Sequence, residues 1–332
     1  MSRENHIRKN KGLKENAPRF FLLIAFIVIT LVFQIMQPNF LNITNVMNLL
    51  AHSSIIGILA CGNMILMAAG EMSFSVGAQC TVAGALFGWV LAKESSNSIL
   101  LALVFAMVIA AMIGLVLAFF TVKLKVPTFV CTLAMGTVLD GFTQILTGGS
   151  TLHSSNWPPM LTIMQKKIGG VFPLPIIVFL IIAVITHIIY EKTKPGRHLY
   201  AVGSNPTAAN NVGISVPKVK VWAFAISGTF CGIAGVTAVS YNNSVSLTLG
   251  GEYLMPAIAA TMLSATFLKL GKYNVPGTVL AAVLMIVIQN GVVNAGYPIY
   301  VKDIVQGILL TVAVAIIVLI KEDGLPSVKL EN

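Results

Sequence analysis

Ten apolar runs follow one another along the chain and leave little polypeptide for anything else. Crossing the hydrocarbon core of a bilayer takes about 20 mostly apolar residues in a helix. A segment there must satisfy every backbone N–H and C=O internally, which a helix does and an open loop does not. The runs fall near 20–36, 46–69, 73–92, 98–122, 127–147, 172–190, 219–241, 253–268, 275–293 and 302–320. The first resembles a secretory signal, but it is too long, and Gln37-Pro38-Asn39-Phe40 offers no small-residue cleavage site. It reads as a retained helix. The expectation is an all-α integral membrane protein of about ten transmembrane helices. A basic tail at 1–19 and a short tail at 321–332 flank a polytopic domain at 20–320.

Composition agrees: 56% of the 332 residues are hydrophobic and 10% are charged, against about 25% charged in soluble domains. The net charge of +10 would suit nucleic acid if it formed a patch with interleaved aromatics. It does not; the charges sit at the ends of apolar runs, so lipid is the expected neighbour and nucleic acid is not. With ten spans, seventeen of the 21 Lys and Arg residues fall on the side of the N terminus. Lys93, Lys166, Lys167 and Lys302 fall on the other. Cytoplasmic loops carry the basic excess, so both termini and the loop at 191–217 are expected in the cytoplasm.

Enzymatic and metal chemistry find no foothold. Cys61, Cys80, Cys131 and Cys231 lie in or beside apolar runs without ligand spacing and read as small buried hydrophobes. The few ionisable residues inside the runs are isolated from one another, whereas an active site needs a cluster. Neither catalytic residues nor a metal are expected.

The longest polar interruption of the second half runs from Glu191 to Pro217. Lys192, Lys194 and Arg197 open it, and Lys218 and Lys220 follow it. Asn205 is a good N-cap, Pro206 falls at the first helical position where its missing N–H costs nothing, and Thr207–Val212 would form a short helix. Gly213 can take the left-handed conformation that closes it. Ala208, Ala209 and Gly213 would keep one side free of bulk, which suits docking into another surface.

Polar residues inside the runs mark the other candidates. Asp140 is an acid within a span, at a cost of about 2.5–3.5 kcal/mol on insertion scales. It either meets a structural partner or faces a wet path. Thr143 and Gln144, three and four residues on, would share its helical face. Gln289, Asn290 and Asn294 are neutral hydrogen-bonding side chains that suit solute hydroxyls or neighbouring helices. Gly84-x3-Gly88 and Gly228-x3-Gly232 read as close helix packing.

Several of these strings resemble a known family. Ala208-Ala209-x3-Gly213 is similar to the start of the cytoplasmic coupling loop in permease subunits of bacterial ABC importers. The longer stretch Gly196–Val216, with Gly203 inside it, resembles the ribose-type sugar permeases. Ala69–Gly77, ending in Ser75-Val76-Gly77, resembles a glycine-rich turn of that family, with Ser73 where an aspartate is common. Lys123–Gly149 is a further match, with Asp140 where relatives usually carry arginine. Gly250–Val314 follows the C-terminal region, with Pro256 replacing an aspartate and Ala265–Lys269 replacing a glycine-rich turn.

The resemblance implies a permease subunit in a bacterial inner membrane. It would pair with a second permease copy or homologue and take solute from an extracytoplasmic substrate-binding protein. An ABC ATPase subunit would dock through Gly203, Asn205, Pro206, Ala208, Ala209 and Gly213. Asp140, Thr143, Gln144, Gln289 and Asn290 are the candidates for the path of a monosaccharide or related polar solute. The chain has no Gly-x4-Gly-Lys-[Ser/Thr] string, so ATP and Mg are expected on the ATPase and no cofactor on this chain. The polar segment around Trp157-Pro158-Pro159 would be an interfacial elbow outside the cytoplasm. The alternative is an ion-coupled secondary transporter or facilitator using Asp140, for which an internal repeat would be expected.

Overall fold

The computed structural model describes residues 20–93, 99–152, 164–165, 167–168 and 172–322. Both terminal tails and the Trp157–Pro159 elbow lie outside these residues. The helices are α1 (Phe21–Met36), α2 (Ile43–Ala68), α3 (Val76–Lys93), α4 (Ile99–Ala118), α5 (Thr128–Thr147) and α6 (Leu174–His187). They continue with α7 (Lys194–Ser204), α8 (Pro206–Asn211), α9 (Val216–Asn242), α10 (Gly251–Ser264), α11 (Val275–Asn294) and α12 (Ile299–Glu322). A two-residue antiparallel pair, Lys167–Ile168 with Phe172–Pro173, is the sheet structure among the described residues.

Among the described residues, six segments are long and apolar enough to cross a membrane: α2, α4 with its π-helical last turn, α5, α6 with its own π-helical turn, α9 and α11. Two shorter apolar helices are Phe21–Met36 and Val76–Leu91. Helices α10 and α12 occupy the remaining two apolar runs, and all ten starts and ends fall within four residues of those expected. The chain is an all-helical membrane protein.

Helices α2 and α9 form the centre. The apolar window of α2 is 89% buried and that of α9 is 78% buried, against 22% for α4 and for α5. A helix apolar all round belongs inside a bundle. Glycines let the central backbones meet. A methyl on Gly228 would overlap the Ala110 carbonyl, one on Gly114 the Phe224 carbonyl, and one on Gly235 the Cys80 carbonyl. Helices α4 and α3 are thus held directly against α9, as small-residue packing requires where lipid gives no hydrophobic drive. The four cysteines are buried. The outer faces of α1 and α4 show Ile24, Leu31, Ile35, Leu100, Leu101 and Phe105. Such a contiguous apolar surface belongs against acyl chains.

Two helices begin after a break. Between α2 and α3, residues 71–75 are not helical, yet Ser73 and Ser75 are fully buried. Their amides find partners nearby, as irregular backbone at depth must. Glu71 N donates to the Leu66 carbonyl at 3.0 Å, Phe74 N to Thr132 Oγ1 at 3.2 Å, and Ser73 N reaches Asn63 Oδ1 at 3.5 Å. Before α10, residues 243–250 form the second break. There Val245 bridges Leu152 with 3.0 Å bonds in both directions, and Gly250 N donates to Thr81 Oγ1 at 2.8 Å. The backbones of Gly77 and Gly250 touch so closely that neither position has room for a methyl group.

The loops expected on the side of the N terminus gather at one end of the bundle. Lys269 Nζ pairs with both Glu191 oxygens at 2.6 and 2.7 Å, and Lys272 lies 4.5 Å over the Tyr200 ring. Leu268, within the string that replaces the family's glycine-rich turn, sits at φ +56 and is half exposed. A left-handed conformation costs a side-chain-bearing residue about 1–2 kcal/mol, while glycine loses about 0.5–1 kcal/mol through unfolded-chain entropy. Leu268→Gly is therefore expected to raise stability by about 0.5 kcal/mol, read as a higher midpoint in detergent thermal unfolding. A lower midpoint would show that the side chain contributes more than its conformation costs.

Candidate coupling segment and translocation face

The segment from Thr193 to Ile214 holds two short helices where the sequence suggested one. Thr193 caps α7 through Gly196 N at 3.4 Å, with Pro195 in its first turn. Leu199 and Val202 are fully buried beneath it. The missed signal was that pair, three residues apart and so on one face of a helix, hidden in an otherwise polar stretch. At Gly203 a methyl would overlap the Ala68 carbonyl, and Gly70 on the other side takes φ +81. The segment is thereby seated on the end of α2.

Helix α8 is punctuated as its residues dictate. Asn205 Oδ1 accepts from Ala208 N at 2.9 Å, and Pro206 occupies the first position. Gly213 takes φ +84. Gly213 N donates to the Asn210 carbonyl and Ile214 N to the Ala209 carbonyl, each at 3.0 Å, the paired closure of a Schellman stop. The two alanines part company: Ala209 is 4% exposed and packs inward, while Ala208 faces out. The outward surface is Asn205, Pro206, Thr207, Ala208, Asn210 and Val212. Val212 is 75% exposed, an apolar knob on a polar loop that spacing alone did not single out. Gly203 and Ala209 pack against the bundle, and Asn205, Pro206, Ala208 and Gly213 are exposed.

On α5 the three polar residues do not share one environment. Asp140 and Gln144 are exposed, whereas Thr143 is 1% exposed and donates back to the Leu139 carbonyl at 3.1 Å. At 3.6 residues per turn, Thr143 lies about 60° to one side of Asp140 and Gln144 about 40° to the other. The edge of the packed surface runs between them. Gly136 and Gly141 flank Asp140 with nothing within 4 Å of an added Cβ. The outward face of α5 therefore carries Asp140, Gly141 and Gln144 among the exposed apolar side chains of Val138, Phe142 and Ile145.

Gln289 and Asn290 are half-buried near the far end of α11. Asn290 Oδ1 accepts from Asn294 Nδ2 at 2.8 Å, and Gln37 Nε2 donates to the neighbouring Gly291 carbonyl at 3.0 Å. Helix α11 packs on α10, α2, α1 and α12, and α5 packs on α3. Within one chain, the α5 and α11 candidates belong to different parts of the bundle.

A third cluster was only half legible. Glu71 is the acid of the turn before α3, and its partners come from distant sequence. One carboxylate oxygen accepts from Lys220 Nζ of α9 and the other from Thr128 Oγ1 of α5. Ser73, at the position where the resembling family commonly has aspartate, bonds Ser75 Oγ at 3.1 Å, and Gln79 Nε2 donates to Ser75 at 2.8 Å.

The helical bundle is that of an integral membrane protein, and relatives specify the kind. Residues 45–314 match the family described as branched-chain amino acid transport system / permease component. This chain belongs to that family. It is 30% identical to the ribose import permease protein RbsC of Escherichia coli (strain K12) over 89% of this chain and 92% of that protein. It is also 30% identical to the same-named protein of Haemophilus influenzae over 92% and 96%. It is 26% identical to the autoinducer 2 import system permease protein LsrD of Photorhabdus laumondii over 89% of both. These relatives are transport permease subunits, and this chain is an integral membrane protein of their family.

Proposed function

We propose that this protein is the membrane-spanning permease subunit of an ATP-driven importer for ribose or a similar small polyhydroxylated solute. Ten helices would cross a bacterial inner membrane, with both termini and the α7–α8 segment in the cytoplasm. The observation that carries the reading is α8: a six-residue helix, capped at both ends and held through α7, whose Gly203 rests on the end of α2, which presents Asn205, Pro206, Ala208 and Val212 outward. A transporter driven by an ion gradient has no use for such a projection, and an ATPase groove does. Nucleotide and Mg chemistry lie on that ATPase, whose closure would move α7–α8.

The α5 face fits the same reading. An exposed acid is costly against lipid, so Asp140 and Gln144 would face a wet path closed by a second permease copy. An extracytoplasmic binding protein would load that path from the opposite end. Gln289 and Asn290 supply further hydroxyl-matching groups at a different part of the bundle.

The deciding experiment is purification of the chain in mild detergent from its native membrane, with cysteines introduced at Ala208 and Val212. Crosslinking of these positions to a co-purifying ATPase is expected. A preparation without ATPase that moves ribose into liposomes under an ion gradient would replace this reading with secondary transport through Asp140.

A further inference from the structure

We propose that Glu71 is the positioning residue that ties the docking segment to α5, the helix carrying the exposed Asp140 and Gln144. The inference rests on the reading of α7–α8 as the site of ATPase contact. Lys220 lies in the second turn of α9, the helix that follows the docking segment after a short loop. Its ammonium is paired with one oxygen of Glu71. The other oxygen holds the hydroxyl of Thr128, the first residue of α5. One carboxylate therefore joins the start of α9 to the start of α5, where Asp140 and Gln144 sit farther along.

The surroundings suit a joint under load. The side chains of Lys220 and Glu71 are 24% and 13% exposed, so salt screens the pair less than a surface one. Loss of either partner leaves the other charge half-buried and unpaired, the costly case. Gly70, the residue before Glu71, lies against Gly203 of α7, so the docking segment reaches the same turn by a second contact.

The strap that follows can change its pairing. Within residues 71–75 the buried Ser73 and Ser75 bond Asn63 and Gln79, which are buried as well. Asn63 Nδ2 and Gln79 Oε1 have no hydrogen-bond partner among the described residues. Spare donors and acceptors along the strap give it alternative bonds after a shift, which a purely apolar lining would not. Motion at α8 would thus pass through Lys220 and Glu71 to α5, and through the strap to α3.

The test uses the complete importer in proteoliposomes, with ribose as the solute and a Thr137→Cys reporter on the exposed face of α5. Two quantities are read: ribose taken up per ATP hydrolysed, and the rate at which a membrane-impermeant maleimide modifies the reporter. Glu71→Ala and Lys220→Met are each expected to lower uptake per ATP about tenfold and to change the labelling rate about fivefold, as loss of one partner of a shielded pair predicts. The double variant Glu71→Lys with Lys220→Glu restores the pair and should recover most of both, which a general folding defect would not allow. Unchanged labelling in the single variants would overturn the proposal, as would a double variant no better than the singles. If the unaltered importer binds no ATPase and moves no ribose, the docking reading fails by itself. The labelling rates then still decide whether Glu71 positions α5.

Discussion

Gly213→Val is expected to leave the chain inserted and abundant while uptake falls more than tenfold. The cause is conformational, because nothing lies within 4 Å of an added Cβ at this position. At φ +84 a β-branched residue is a genuine outlier. Holding it there costs about 1–3 kcal/mol, and releasing it breaks the two 3.0 Å bonds that stop α8, each worth about 1 kcal/mol net. The chain takes the cheaper of the two courses, and about 2 kcal/mol corresponds to about a thirtyfold loss of the docking-competent form. ATP hydrolysis by the assembled complex should continue, uncoupled from transport. Gly213→Asn is the matched control, since asparagine visits the left-handed region readily, and it should keep most of the uptake. Measuring both activities in the same vesicles decides the matter; normal uptake by the valine variant would sink the role given to this stop.

Gly203→Ala should be comparably damaging by the opposite route. Here φ is not the obstacle; a methyl would overlap the Ala68 carbonyl and crowd Gly70 N. Backbone atoms cannot step aside as a flexible side chain can, so α7 must lift from the end of α2. Overpacking of this kind costs about 1–3 kcal/mol, and the shift would unseat Leu199 and Val202, both fully buried. The expected result is a thermal midpoint lowered by several degrees together with loss of uptake. An alanine variant with the parental midpoint and full uptake would show that the segment is not seated through this contact. The pair of variants separates two demands on one segment: Gly213 shapes it, and Gly203 places it.

What the sequence made legible was local. Asn205, Pro206 and Gly213 carry their roles in their own chemistry, so the limits of α8 were readable from residue types. The ten apolar runs mark the long helices because bilayer thickness and backbone satisfaction admit few alternatives. Helix α7 was missed because its evidence is a buried pair, Leu199 and Val202, in a stretch whose average is polar. The inward turn of Thr143 and the inward packing of Ala209 depend on which side of each helix meets the bundle, and periodicity supplies no such edge where every face is apolar. The partners of Glu71 lie 57 and 149 residues away, and no spacing rule spans that distance.

The exposed centre of α5 also bears on the life of the protein before assembly. A freshly inserted copy without a mate presents Asp140 and Gln144 to acyl chains, an arrangement that cost about 2.5–3.5 kcal/mol per acid on insertion scales. On the proposed pairing, the same face would be buried or wetted only in the assembled pair. An unpaired copy would then carry the cost of its own incompleteness, and that cost would itself favour assembly.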